Sequence, residues 1–277
     1  KYLLFVTTTN EKTVIAENIS PIIKKIKPNK PALKIFDAGL GDGTLLMNVL
    51  RDCHREFPTI PFLVAGKEIS MEDVRLTIEK LSDRFVEHPN MVFLLTNLHY
   101  NEATSLTSKN INKETNSVWS RVPLTGNSSY EFNSQLSNLD SLLEKNWQVE
   151  RNPKNGNTTY KQPSVIIIYR KDHEMSLDQI IPKKGDEKIL FDLIIASQPY
   201  RSRISVDKKV NYVIHPMINS LSHKGKLVIT HAYGNDPGTQ LVKKLWPGDN
   251  PFPTLADDII KYLNDNLESD KKNKLIF

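Results

Sequence analysis

The sequence predicts an α/β fold in which helices cover both faces of a doubly wound, mostly parallel sheet, together with an α+β insertion. Three observations predict it. Short apolar runs of strand length recur along the chain, amphipathic helical segments lie between them, and the alternation is interrupted once, over residues 101–187. Parallel strands need helical crossovers, so this alternation favours a parallel sheet. We therefore expect a core formed by residues 1–100 and 188–277, with 101–187 inserted.

The first half of the chain alternates predicted helices and strands. In order, these are a helix over 9–26, a strand over 34–39, a helix over 44–57, a strand over 62–68, a long helix after Ser70 and a strand over 91–95. Ser70 is placed to cap its helix, with Asp73 three residues further on. Cys53, the only cysteine, lies on an inward helical face, which favours a packing role.

Residues 101–187 lack this alternation. We predict a helical piece around 136–143 and then a hairpin over 147–171, with its turn near Asn155-Gly156. A structureless loop of this length inside a compact domain is implausible, so part of the insertion should be ordered. It could be a cap that recognises the substrate, an oligomer interface or a mobile lid, and by analogy with other enzymes of this fold we favour the cap.

The alternation resumes in the last third of the chain. We predict a strand over 191–197, a helix over 208–222, a strand over 226–233, helices over 237–245 and 255–267, and a strand in the final segment KNKLIF. His223 and Lys224, followed by Gly225, suit the C-terminal end of the helix over 208–222. The terminal strand and the lack of an initial Met lead us to expect that the chain is part of a longer polypeptide.

Composition excludes several classes of protein. The chain has 277 residues, of which 39% are hydrophobic and 25% charged, which is enough apolar material for a core. The net charge of +5 is spread among acidic residues without a clustered basic stripe, so a nucleic-acid partner is possible but not favoured. No apolar run is long enough to span a bilayer, and no Cys/His cluster suggests a metal. A single cysteine without a signal peptide favours the cytoplasm.

The end of the first predicted strand carries a glycine-rich turn. In doubly wound sheets ligands bind at the carboxyl ends of the strands, so this turn is a candidate site. Gly39, Gly41 and Gly43 let the backbone turn tightly and approach a ligand closely. Asp37 and Asp42 bracket the turn, which disfavours a pyrophosphate and favours a cationic ligand.

Polar side chains follow the next two predicted strands. Glu68 comes directly after the second strand, where a carboxylate can accept both hydroxyls of a ribose. Asn97 follows the third strand and can both donate to and accept from an adenine edge, or it can simply form a turn. The glycine turn, the helix that follows it and Glu68 together predict a site for a nucleoside-containing ligand.

These segments resemble those of the class I S-adenosylmethionine-dependent methyltransferases. The similar segments are DAGLGDGT, GKEIS, TNLHY, FDLIIASQPY and GKLVITHAY, within roughly residues 10–100 and 188–245. The resemblance implies a Rossmann-like fold and S-adenosylmethionine as the cofactor. It implies that the cofactor is bound by Asp37, Gly39, Leu40, Gly41, Gly43, Glu68, Ile69, Asn97, Leu98, Ser197 and Gln198.

The acceptor of the methyl group is indicated less directly. Residues 197–200, Ser-Gln-Pro-Tyr, resemble the motif of methyltransferases that act on amino groups of bases or glutamine, although Gln198 replaces its first proline. The order of segments is also similar to that of the histamine-type N-methyltransferases, which supports a small acceptor. We expect transfer to nitrogen or oxygen of a small molecule, with Tyr200, His231 and Tyr233 as candidates for orienting or deprotonating it.

Other functions stay open. The protein could methylate an amino group of a nucleic acid or of a protein, or it could be a catalytically silent S-adenosylmethionine-binding regulatory module. An aminopropyltransferase that uses the decarboxylated cofactor would favour acidic residues near the fourth strand of the core, whereas ASQPYRSR offers arginines. The sequence does not predict the oligomeric state.

Overall fold

A seven-stranded sheet forms the centre of the structure, with the strand order β4-β7-β3-β2-β1-β8-β9, and a separate two-stranded ribbon pairs β5 with β6. The computed structural model describes residues 10–153, 156–186, 188–200, 203–231, 237–248 and 254–267. The predicted α/β class and the mostly parallel sheet are confirmed, and the architecture is compatible with a Rossmann-like fold.

The bounds of the elements follow the apolar pattern closely. The strands are β1 (Leu33–Asp37), β2 (Phe62–Lys67), β3 (Met91–Thr96), β4 (Val118–Leu124), β5 (Val149–Arg151), β6 (Thr158–Tyr160), β7 (Ser164–Arg170), β8 (Phe191–Ser197) and β9 (Leu221–Thr230). The longer helices are α1 (Glu11–Ile23), α2 (Thr44–Glu56), α3 (Met71–Glu79), α4 (Leu81–Glu87), α7 (Ser129–Ser137), α8 (Asp140–Asn146), α12 (Pro237–Leu245) and α13 (Ala256–Asn266).

Several helical segments are shorter. They are α5 (Tyr100–Ala103), α6 (Ile111–Glu114), α9 (Glu174–Leu177), α10 (Val206–Lys209) and α11 (His215–Ile218), the last two joined by a π-helical turn (Val210–Ile214). Ser70 caps α3 as predicted, because its hydroxyl accepts a hydrogen bond from the Asp73 amide. The predicted long helix is divided at Lys80 into α3 and α4.

The strand order places the ends of β1 and β8 beside each other. The five strands β3, β2, β1, β8 and β9 run parallel. The chain places β2 and then β3 on one side of β1, and later places β8 and then β9 on its other side. Such a reversal leaves a crevice at the carboxyl ends of the two strands where the order changes. Candidate site residues that follow these strands are therefore brought to one edge of the sheet.

Apolar side chains cover both faces of the sheet. On one face, α1, α2, α3, α4, α7 and α8 contribute to a large core that contains Cys53, which is fully buried as predicted. On the other face, Ala103, Leu177 and Met217 from short helices pack against alternate residues of the same strands. Each core strand is thus apolar on both sides, which explains why these strands are continuous apolar runs.

Residues 101–187 extend the central sheet. Strand β7 pairs antiparallel with β3, and β4 pairs parallel with β7 at the edge. All seven residues of β7 are buried, so this segment belongs inside a sheet and is not the second strand of a hairpin. The predicted hairpin is present in a shorter form as β5 and β6, with Asn155 of its predicted turn outside the described residues.

A buried carboxylate connects residues 101–187 to the core. Glu102, which is 4% exposed, accepts hydrogen bonds from the Tyr160 hydroxyl at 2.8 Å and from the Lys109 amide at 2.8 Å. It also accepts from the amide of His99 and the hydroxyl of Ser108. Four donors satisfy the buried carboxylate, so Glu102 connects the start of residues 101–187 to β6.

The prediction of a helix over 208–222 is wrong at its C-terminal end. The helical segment ends at Ile218, and Leu221 already pairs with Phe191 of β8. His223 and Lys224 therefore lie in β9, where Lys224 adopts a left-handed conformation (φ 62°) beside an irregularity in the strand pairing. The helices predicted over 237–245 and 255–267 are confirmed, whereas the KNKLIF segment lies outside the described residues.

None of the described helices is both long and apolar enough to cross a membrane.

Candidate active site at the carboxyl edge of the sheet

Asp37 ends β1 with its side chain buried at the base of the glycine turn. The carboxyl group is 1% exposed, and its Oδ1 accepts a hydrogen bond from the Gly39 amide at 3.1 Å. Its Oδ2 is also buried and has no hydrogen-bond partner among the described residues. Burial raises the pKa of Asp37 to about 7, with a smaller contribution from the negative charge of Glu68. The turn therefore holds a carboxyl group that gains from a donor or a cation.

Asp42, on the other side of the turn, has its charge compensated within the protein. It forms ion pairs with Lys12 of α1 and Lys80 at the end of α3, and it accepts hydrogen bonds from the amide and hydroxyl of Thr44. Burial alone would raise its pKa, but the bonds from Lys12 and Thr44 hold the pKa well below its usual range. Of the two acids predicted to favour a cation, Asp37 is thus the one that remains available.

Glu68 links the turn to the end of β2. Its Oε2 accepts from the Gly41 amide at 2.9 Å, and its Oε1 accepts from the amides of Ile69 and Ser70. The Trp147 indole donates to the Glu68 carbonyl at 3.1 Å, so a buried tryptophan lies directly against this residue. The carboxylate is held at the mouth of the turn by three backbone amides.

The three glycines of the turn differ in their surroundings. Gly41 has a φ of +52°, and a Cβ there would meet nothing within 4 Å, whereas Gly43 has a φ of +76° and a Cβ there would lie 2.7 Å from Thr77 Oγ1. A Cβ at Gly39 would lie 3.7 Å from the Ser197 carbonyl oxygen, so the turn runs beside the end of β8. The space next to Gly41 is the open side of the turn.

We expect Gly43→Ala to destabilise the protein more than Gly41→Ala. Both substitutions force alanine into a left-handed conformation, which costs about 1 kcal/mol of unfolding free energy. Only at Gly43 does the new methyl group also collide with Thr77, so the loss of unfolding free energy there should reach about 2 kcal/mol or more. Urea denaturation of the two variants measures the difference. Equal losses of unfolding free energy would contradict the packing of the turn against α3.

Asn97 and Leu98 follow β3 and are both buried. The Asn97 amide donates to the Gln162 carbonyl at 2.9 Å, and its Oδ1 accepts from the Ser164 amide at 2.9 Å. The side chain thus bonds to the start of β7, which leaves one amide hydrogen and one lone pair for any other partner. Ile69, also predicted at the site, is half-buried against the same apolar cluster as Leu98.

Ser197 and Gln198 lie where β8 ends. The Ser197 hydroxyl accepts a hydrogen bond from Thr230 at the end of β9. Gln198 has a positive φ of 47°, and its side chain donates to Glu11 of α1 at 2.8 Å. These contacts put both residues at the same edge as the glycine turn, where Leu40 also packs against Gly66 of β2.

Tyr200 and His231 come together beyond β8 and β9. The Tyr200 hydroxyl lies 3.0 Å from His231 Nδ1, within hydrogen-bond distance. Burial raises the pKa of Tyr200 to about 12 and lowers the pKa of His231, which the charge of Lys209 lowers further. Near neutral pH this pair is therefore a neutral phenol beside a neutral imidazole. Tyr233, the third predicted catalytic residue, lies outside the described residues.

Tyr100 was not predicted as a site residue, yet it connects the two parts of the site. Its hydroxyl donates to the Pro199 carbonyl at 2.8 Å, and the Lys67 ammonium lies 4.6 Å from its ring centroid. Burial raises the pKa of Tyr100 to about 12, and the charges of Glu68 and Asp37 add to the shift. Its position directly after the segment TNLH was the sequence signal that could have identified Tyr100 as a site residue.

The arrangement has two chemically different ends. One end holds a buried carboxyl group under an open backbone turn, next to a second carboxylate. The other end holds a tyrosine and a histidine capable of orienting a substrate or accepting a proton. The described residues contain no group of three or more His, Cys, Asp or Glu side chains arranged to hold a metal ion.

No protein-family model matches the chain, and no curated protein is similar to it at a significant level.

Proposed function

We propose that the protein is an S-adenosylmethionine-dependent methyltransferase that acts on a small molecule. The observation that carries this proposal is the buried Oδ2 of Asp37 at the base of the glycine turn, which has no hydrogen-bond partner among the described residues. A buried acceptor without a donor costs free energy, which a ligand recovers by donating to it. The amino group of the methionine part of the cofactor is such a donor and is positively charged.

The second carboxylate fits the ribose of the same ligand. Glu68 accepts three backbone hydrogen bonds, and a carboxylate has about four acceptor positions, so it retains capacity for a hydroxyl. The open space beside Gly41 lets a ligand approach the backbone between the two acids. Asp37 and Glu68 would then hold opposite ends of one ligand across the turn.

The cofactor would supply a methyl group bonded to a positively charged sulfur. Displacement at such a carbon depends mainly on alignment, which accounts for much of the rate in positioned reactions. Tyr200 and His231 support this assignment because they lie past the ends of β8, which neighbours the strand that carries Asp37, and of β9, the next strand in the sheet. They would orient the acceptor and receive its proton.

Titration with S-adenosylhomocysteine tests the proposal. The buried Trp147 touches the Glu68 carbonyl, so tryptophan fluorescence reports binding, and calorimetry gives the affinity independently. We expect Asp37→Asn to lose roughly 10- to 100-fold in affinity and Glu68→Gln about tenfold, as removal of charged hydrogen bonds does. Asp178→Asn, at an exposed carboxylate, is the control.

Two results would contradict parts of the proposal. Unchanged affinity for S-adenosylhomocysteine in both the Asp37 and the Glu68 variants would contradict the proposed cofactor site. Binding that depends on these residues, without methyl transfer from labelled S-adenosylmethionine to any fraction of small molecules, protein or nucleic acid, would favour the silent binding module.

A further inference from the structure

The outer edge of β4 is open. Strand β4 is the last strand at one side of the seven-stranded sheet, and β7 is its inner neighbour. The Val118 amide donates to the Pro163 carbonyl on the side of β7. Successive residues of a strand direct their backbone groups to alternate edges, so Trp119, Arg121 and Pro123 direct theirs away from the sheet. No residue in the described parts of the chain forms a hydrogen bond with these outward groups.

The chain itself closes the same edge at both ends of β4. On one side, the Ser117 amide donates to the Glu114 carbonyl at 2.9 Å, and the Ser117 carbonyl accepts from Lys184 at 3.4 Å. On the other side, the Gln135 side chain accepts from the Thr125 amide at 3.0 Å and donates to the Thr125 carbonyl at 2.7 Å. The open part of the edge is therefore confined to β4.

The residues of this open edge restrict what can pair with it. Pro123 lacks an amide hydrogen, but because its nitrogen faces outward, it removes no hydrogen bond to β7. Proline and charged side chains are common devices that limit the pairing of edge strands. Here Pro123 and the exposed Arg121 leave two outward amides, those of Trp119 and Arg121. A partner strand must match these two donors.

A second copy of β4 matches them in one antiparallel register. With a two-fold axis at Ser120, Trp119 of each copy forms a hydrogen-bonded pair with Arg121 of the other, so every outward amide finds a carbonyl. The guanidinium then lies beside the indole ring, and Val118 lies opposite Val122 of the second copy, and both are favourable pairs. An axis at Arg121 would instead place two like charges opposite each other.

We propose that the protein forms a dimer in which β4 pairs antiparallel with β4 of a second copy about Ser120, joining the two seven-stranded sheets. The inference is independent of the proposed function, because β7, β3 and β2 separate β4 from the strand that carries the glycine turn. One strand of seven residues on each copy is a small interface, so we expect a dissociation constant of about 1–100 µM.

Substitutions at Ser120 test both the dimer and its register. Ser120 is half-buried and meets itself across the axis, so Ser120→Glu or Ser120→Lys places like charges opposite each other. Sedimentation velocity from about 1 to 300 µM should show that each variant dimerises at least about fivefold more weakly than wild type. An equimolar mixture pairs opposite charges and should restore the dimer. Ser134→Glu, at an exposed serine of α7, is the control.

A second variant removes a hydrogen-bond donor instead of adding a charge. Arg121→Pro deletes an outward amide and leaves the bonds between β4 and β7 in place, as Pro123 already does. The dimer contains this donor twice, so we expect the dissociation constant to rise about tenfold or more. Circular dichroism and thermal melting show which variants are folded, and only the folded ones are compared.

Three results would overturn the proposal. The first is a wild type that stays monomeric up to about 300 µM. The second is a dimer whose dissociation constant is unchanged in the folded Ser120 variants or in folded Arg121→Pro. The third is a dimer that both Ser120 variants weaken but that their mixture does not restore, because the axis then lies elsewhere. The affinity for S-adenosylhomocysteine should be the same in all folded variants, so the cofactor site is judged separately.

Discussion

The affinity for S-adenosylhomocysteine is expected to fall about tenfold for each pH unit below pH 7. Burial raises the pKa of Asp37 to about 7 in the free protein. A cationic amino group favours the ionised carboxylate, so binding must release the proton that Asp37 holds at lower pH. Each pH unit below the pKa of the free protein then costs about 1.4 kcal/mol of binding free energy.

Calorimetric titrations between about pH 5 and pH 8 measure this dependence, and buffers of different ionisation enthalpy count the released proton. Asp37→Asn is the matched control, because it keeps the shape of the side chain and cannot titrate. Adenosine, which lacks the amino-acid part, should bind without the steep dependence. A flat profile for the wild type, or the same slope in Asp37→Asn, would contradict the contact between Asp37 and the cationic group.

The second large effect is expected in stability under acid. Between pH 7 and pH 4, the wild type should lose about 3 kcal/mol more unfolding free energy than His88→Gln. His88 is 4% exposed, stacks on Phe62 and bonds to the Ile60 carbonyl at 2.9 Å. Its Nδ1 lies 2.8 Å from Nδ1 of His54, so a neutral His88 that donates Nε2–H to Ile60 can accept a hydrogen bond there from His54.

The sign of this effect follows from the protons bound in each state. Burial, with a smaller contribution from the neighbouring His54, lowers the pKa of His88 from 6.5 to about 4. Between these two values the unfolded chain binds a proton that the folded protein does not, so stability falls as the pH falls through this window. Asp37 acts in the opposite direction, because its raised pKa makes the folded protein the better proton binder over an overlapping range.

Denaturant titrations of both proteins at several pH values isolate the histidine. The difference between wild type and His88→Gln removes the contribution of Asp37 and of every other group that the two proteins share. If the difference in unfolding free energy between wild type and His88→Gln stays constant from pH 7 to pH 4, His88 is not the buried neutral base. His88 precedes β3, at the edge of the sheet opposite the site, so the variant should leave ligand affinity at pH 7 unchanged.

Local patterns predicted the parallel core and the first part of the site. Apolar runs flanked by helical segments gave β1, β2, β3 and β8, and the rule that ligands bind at the carboxyl ends of strands directed attention to Asp37 and Glu68. The structure brings these two acids to opposite sides of one turn. Such features depend on residues close in sequence, which is why pattern and spacing suffice.

Contacts between residues that are distant in sequence could not be predicted from local patterns and spacing. The pairing of Lys12 with Asp42, which removes one of the two predicted acids from the site, joins α1 to the glycine turn. The bonds of Asn97 to the start of β7 likewise depend on where the chain returns to the sheet.

The strand order also has a consequence for synthesis of the protein. Strand β1 ends at Asp37, but its second neighbour, β8, begins only at Phe191. A ribosome releases the N-terminal strands first, so β1, β2 and β3 can pair while one side of β1 is still uncovered. The Ser197 carbonyl that borders Gly39 arrives with β8. The nascent chain therefore completes the crevice between β1 and β8 late in translation, after most of the sheet has already emerged.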